Sequence, residues 1–339
     1  MGQIIFWFIV LIISLIVLVK SADYFTEYSE KIGLAFGMSS FIIGATIVAI
    51  GTSMPELVSS LFAALGSGTT EFVADNIIGS NIANALLILG IGAIYGKTLK
   101  VETSLIDVDL PFFFMSMALF SYFAFDGDIT RLEGLFLLGF FIIFIIYNVR
   151  SDSTVEEVAD DVEELEELHE QYEETEEARV DLDGDGKPDR APIGKYMLYV
   201  LISMVAISAS AKYLIDSVLT LSDLLGIQSS LLTITVVALG TSLPEVLTSL
   251  AAIKLGNHGI AIGNVFGSNT FNLLLVGGFP ALFTHLKIGD LSMTVGLPFL
   301  IIATFVAIFV TIDDKVRIWE GSAMLFLYVV FLAKIVQVI

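Results

Sequence analysis

The chain of 339 residues contains no cysteine, so neither a disulfide framework nor a thiolate metal site exists. Its three histidines, His169, His258 and His285, fall outside the middles of the apolar runs, which excludes a midplane histidine relay or an HExxH zinc site. Charge is also scarce. Only 16% of the residues are charged, against about a quarter in soluble domains. Basic residues are scarcest, 16 Lys and Arg against 37 Asp and Glu, and that balance argues against a nucleic-acid partner. No basic segment and no small-residue cleavage site flank the first apolar run, Ile4 to Val19, which therefore reads as a spanning helix and not as a signal peptide. No lipid-anchor motif is evident.

What is abundant is apolar: 56% of the chain, with a mean hydropathy of +0.87. The acids are concentrated between Ser151 and Arg190, where 18 of them face three basic residues, a net fifteen of the chain's twenty-one excess negative charges. The remainder is nearly neutral. This split describes a membrane protein with an acidic soluble insert.

A spanning helix needs about 20 apolar residues. Ten stretches qualify: 3–20, 36–65, 73–95, 108–125, 130–148, 194–219, 226–253, 259–285, 291–311 and 318–337. The organisation expected is a first repeat over 1–150, an acidic insert over 151–192 and a second repeat over 193–339. Lys and Arg crowd the odd-numbered connections, and the even ones hold only Arg131 and Lys287. By the positive-inside rule the odd connections and the insert are cytoplasmic, and both termini lie outside the cell membrane.

The halves resemble each other. GATIVAIGTSMPELVSSL in the first answers to TITVVALGTSLPEVLTSL in the second, with Glu56 and Glu245 separated by 189 residues. Gly79-Ser80-Asn81-Ile82-Ala83-Asn84 matches Gly267-Ser268-Asn269-Thr270-Phe271-Asn272 at an offset of 188. Two motifs repeating in order, in halves with an odd number of helices, predict an all-α integral membrane fold of ten transmembrane helices in two inverted-topology five-helix repeats.

Each Gly-Thr-Ser-x-Pro-Glu segment lies inside an apolar helix. Proline has no N–H and clashes with the carbonyl four residues back, so a local break is expected that turns carbonyls and the hydroxyls of Thr52, Ser53, Thr241 and Ser242 inward. Glu56 and Glu245 then stand at symmetric midplane positions, where an ionised carboxylate of the Asp type costs about 2.5–3.5 kcal/mol unless a cation compensates it. Ser80 and Asn84 share one helix face, as do Ser268 and Asn272. Small-residue motifs of this kind also serve close helix packing. Hydroxyl, carbonyl, carboxamide and carboxylate oxygens suit Ca²⁺ or Na⁺ and do not suit zinc or copper. No nucleophile–base pair stands in the spans, so the chain does not read as an enzyme.

The doubled GTSxPE, each followed by Gly-Ser-Asn-x-x-Asn, resembles the sodium/calcium exchanger family of the Ca²⁺/cation antiporters. The resemblance covers about 36–90 and 225–278. It implies secondary antiport of Na⁺ against Ca²⁺ by alternating access, with the two ions as transported substrates, the bilayer as surroundings and no cofactor. Carried over residue by residue, it implies carboxylate ligands from Glu56 and Glu245, and oxygens from Thr52, Ser53, Thr241, Ser242, Ser80, Ser268, Asn84 and Asn272. Backbone carbonyls would come from Ala49 and Ala238. Asn272 stands where some relatives carry Asp, which leaves two central carboxylates and disfavours K⁺ coupling. Asp75-Asn76 replaces the usual Gly-Asn start of the first motif, and Gly263-Asn264 keeps it in the second. Ca²⁺/H⁺ or K⁺-dependent exchange, or Mg²⁺ transport, by the same fold is the alternative.

In the insert, apolar residues from Val155 to Tyr172 recur three or four apart, the pattern of an amphipathic helix and a surface for self-association. Asp181-Leu182-Asp183-Gly184-Asp185 with Asp189 follows the start of a Ca²⁺ loop, although Pro192 occupies the place of the bidentate Glu. A calcium loop and a flexible acidic linker both fit.

Overall fold

The computed structural model describes residues 2–36, 38, 40–67, 70–100, 109–159, 193–224, 242–313 and 315–338. Nearly all of them are helical. The elements are α1 (Gly2–Ala35), α2 (40–67), α3 (Thr70–Tyr95), β1 (Thr98–Lys100), α4 (Asp109–Ala124), β2 (Asp128–Ile129), α5 (Arg131–Ala159) and α6 (Ile193–Leu224). They continue as α7 (Leu243–Lys254), α8 (His258–Ala281), β3 (Leu286–Lys287), α9 (Ser292–Thr311), β4 (Lys315–Arg317) and α10 (Ile318–Val338).

Seven helices among the described residues are long and apolar enough to cross a bilayer, and Ser40–Met54 and Leu110–Ala124 are shorter apolar helices. Much of the predicted span 226–253 lies outside the described residues, and so does the insert from 160 to 192, with the candidate loop residues Asp181, Asp183, Asp185 and Asp189.

The first helix does not stop near residue 20, as the apolar run alone predicts. It continues to Ala35 because its second half is held by partners: Ser21, Ala22, Phe25 and Ser29 are buried, and Lys31 pairs with Glu27 one turn back at 2.8 Å. This half packs along α6. The Tyr28 ring lies 4.6 Å from that of Tyr199, and Lys31 Nζ stands 5.1 Å over Tyr28. Glu30 accepts a hydrogen bond of 2.6 Å from Asn257 in the turn between α7 and α8.

Helices α3 and α8 are almost wholly enclosed by the others. Their enclosure depends on residues without side chains, because only these let backbones meet. A Cβ on Gly263 would come within 2.2 Å of the Phe41 carbonyl oxygen, and one on Gly267 within 2.3 Å of that of Ala45. The same closeness holds α3 to α10, where Gly90 meets Gly321, and α8 to α5, where Gly278 meets Gly134. Gly90 and Gly278 are 188 residues apart, and Gly134 and Gly321 are 187 apart.

Two short antiparallel ribbons tie the halves together. Leu99 opposes Val316 in β1–β4, and Ile129 opposes Leu286 in β2–β3. All four residues are fully buried.

Candidate ion site

The helix break expected at Pro55 is not where the chain departs from α geometry. Residues Ala49–Phe62 are one unbroken α-helix, and the wider π turn lies before it, at Gly44–Val48, where the Ala49 N–H bonds the Gly44 carbonyl. Proline still deprives the Gly51 carbonyl of its usual donor, and a second π turn, Ala63–Ser67, follows the α-helical stretch. In the second half Pro244 sits in the first turn of α7, where its missing N–H costs nothing. Helices α3 and α8 each carry a π turn that opens on the predicted asparagine, at Asn84–Ile88 and Asn272–Val276.

These helices converge on Glu56 and Glu245, both buried to within 1% of complete exclusion. Ser53 donates to Glu245 Oε1 at 3.0 Å, which joins the first half to the second. Thr52 Oγ1 stands 3.5 Å from Ser268 Oγ. Ala49, Ser80, Asn84, Ser242 and Asn272 are buried as well. Thr241 and Ala238 lie outside the described residues.

The polar atoms gathered here are unusual for what they do not bind. Among the described residues, Glu245 Oε2, Ser242 Oγ and both carboxamide atoms of Asn84 and of Asn272 have no hydrogen-bond partner. Orphaned buried polar atoms cost free energy, about 1–3 kcal/mol each, and more when charged. The oxygens among them can accept from a donor or from a cation that brings its own positive charge. Hard oxygen donors around two carboxylates can hold a hard cation and have no feature suited to a soft one.

One residue of the site escaped the reading of the sequence. Asn264 Nδ2 donates to Ser249 Oγ at 2.9 Å, and to Thr248 Oγ1 and the Glu245 carbonyl at 3.3 Å each. Its Oδ1 accepts from Thr52 and from Ser268, each at 3.2 Å. The signal for it was present: Asn264 matches Asn76 at the offset of 188, and Thr248-Ser249 matches Ser59-Ser60.

Comparison with known proteins agrees with this geometry. The family model for the sodium/calcium exchanger protein matches residues 6–150 and 195–336. The sodium/calcium exchanger MaX1 of Methanosarcina acetivorans is 34% identical over 96% of this chain and 97% of its own length. The inner membrane protein YrbG of Escherichia coli is 30% identical over 83% and 81%. A solved structure of the sodium-calcium exchanger NCX_Mj superposes with a TM-score of 0.78 at 27% identity, covering 97% of this chain and 99% of that one. Two enclosed glutamates on paired motifs, in an all-helical membrane fold shared with these relatives, make the chain a member of the sodium/calcium exchanger family.

Proposed function

We propose that this protein is a secondary antiporter that exchanges Na⁺ for Ca²⁺ across the cell membrane at one site between its halves. The observation that carries the reading is the pair of enclosed carboxylates, Glu56 and Glu245, set on paired motifs among buried hydroxyl and carboxamide oxygens from both halves. Two negative charges balance one Ca²⁺ or two Na⁺, so the ions compete for the same oxygens. The empty site, with two uncompensated charges in a low dielectric, is costly to carry between the two faces of the membrane, which favours exchange over leak. Thr52, Ser53, Thr241, Ser242, Ser80, Ser268, Asn84 and Asn272 supply side-chain oxygens in this proposal, and Ala49 and Ala238 supply carbonyls.

The reading includes ten transmembrane helices in two inverted repeats. The ribbons support it: Leu99 of β1 and Leu286 of β3 lie 187 residues apart, as do Ile129 of β2 and Val316 of β4, and β1 pairs with β4 while β3 pairs with β2. The paired glycine crossings and paired π turns follow the same offset to within one residue. Access alternates as α1 and α6, joined along their length, slide past the enclosed core. The insert from 151 to 192 is cytoplasmic and both termini are outside. In this cysteine-free chain, a cysteine placed in the insert should be shielded from an impermeant thiol reagent in intact cells, and one at either terminus should react. Reversed labelling would invert the orientation.

The function is tested with the purified protein in liposomes. An outward Na⁺ gradient should drive ⁴⁵Ca²⁺ uptake without K⁺ and with pH clamped on both sides. Uptake that answers only to a pH gradient would replace Na⁺ by H⁺ as the coupling ion, and a requirement for K⁺ would place the chain with K⁺-dependent exchange.

A further inference from the structure

Asn264 touches three helices, α2, α7 and α8, and it belongs to neither set of proposed cation ligands. Its orientation is determined by its partners. The Glu245 carbonyl can only accept, so the nitrogen must face it. Thr248 gives its own hydrogen to the Pro244 carbonyl at 2.8 Å, so its oxygen is free to accept from the same nitrogen. The other atom, Oδ1, is then an acceptor with two lone pairs, and two hydroxyls reach it.

Each hydroxyl has one hydrogen to give. That of Thr52 has further acceptors within reach, the carbonyls of Val48 at 3.1 Å and Ala49 at 3.3 Å. A hydrogen given to Ala49 would occupy an oxygen that the proposed site offers to a cation. A hydrogen given to Val48 or to Asn264 occupies none of the proposed ligands, and of the two only Asn264 also reaches Ser268. The same holds for Ser268, whose other partner among the described residues is Thr52 Oγ1 at 3.5 Å, itself a proposed ligand.

We propose that Asn264 is a positioning residue that draws the hydroxyl hydrogens of Thr52 and Ser268 out of the ion site, so that both oxygens present lone pairs to the cation. It rests on the exchange site proposed above and assigns Asn264 an effect on cation affinity exerted only through those two hydroxyls.

The test is a double-mutant cycle read by equilibrium ⁴⁵Ca²⁺ binding to the full-length purified protein. Asn264→Leu, similar in size and unable to accept, should raise the half-saturating Ca²⁺ concentration about tenfold or more, and less than about threefold when introduced into a Thr52→Val/Ser268→Ala background. Equal factors in the two backgrounds would show a general structural role and overturn the proposal alone. If the unchanged chain binds no Ca²⁺ that depends on Glu56, the exchange site is overturned and this proposal with it. Where Asn264→Leu gives no folded protein, Asn264→Ala runs the same cycle with the same two outcomes.

Discussion

Glutamine at position 56 or position 245 is expected to abolish Ca²⁺ exchange and leave a folded protein. Both side chains are completely enclosed, and glutamine has the volume of glutamate, so packing survives the change. What is lost is one of two charges facing a divalent ion. At about 4 Å and an effective dielectric constant near 20, a unit charge facing a divalent ion is worth about 8 kcal/mol of attraction, against which desolvation is set. At 1.4 kcal/mol per factor of ten, even half of that attraction lowers Ca²⁺ affinity by roughly a thousandfold, and transport at physiological Ca²⁺ disappears. The measurement is Na⁺-driven ⁴⁵Ca²⁺ flux in liposomes, alongside monodispersity of the purified variant in detergent. Near-normal flux in either variant would refute a two-carboxylate site.

The second large effect is structural. Valine at Gly267 should prevent the core from assembling, because the first carbon added would lie 2.3 Å from the carbonyl oxygen of Ala45 and 2.6 Å from its Cα. These are backbone atoms of a neighbouring helix and cannot rotate aside. Forcing a methyl-sized group into a filled core costs about 1–3 kcal/mol even where side chains can adjust, and more here. Valine at Gly139, which has no atom within 4 Å of its added carbon, is the matched control and should cost little. The thermal midpoint of each variant in detergent, followed by size-exclusion chromatography, checks the pair. Equal midpoints would mean that α2 and α8 do not meet as closely as described.

Much of the site was legible in the sequence, for a physical reason. A carboxylate in an apolar helix is expensive enough that Glu56 and Glu245 stand out against their surroundings without help from the fold. Their repetition at one spacing then marks Ser80, Asn84, Ser268 and Asn272 as companions. The extent of α1 was not legible. Hydropathy ends that helix near Lys20, but its polar second half survives on burial against α6 and on the Glu27–Lys31 pair, and both are tertiary or rotational facts. The seat of the distortion in α2 was misplaced too. Pro55 announces a break, but the stretch around it, Ala49–Phe62, stays α-helical and the π turns flank it, at Gly44–Val48 and Ala63–Ser67. Asn264 was hidden for a third reason: its role lies in which of its atoms faces which neighbour, and composition carries no such direction.

The two ribbons also bear on how the chain is made. Thr98–Lys100 has its strand partner at Lys315–Arg317, and Asp128–Ile129 has its own at Leu286–Lys287. Each partner is translated more than 150 residues after the strand it completes. The first five helices therefore leave the ribosome with two open strand edges and with the faces that later receive Gly263 and Gly267 still bare. Contacts so distant in sequence form late and slowly. During that interval the nascent first half is a partner in waiting, able to accept the matching edges of another copy as readily as its own, and fast synthesis of the second half is its protection from such exchange.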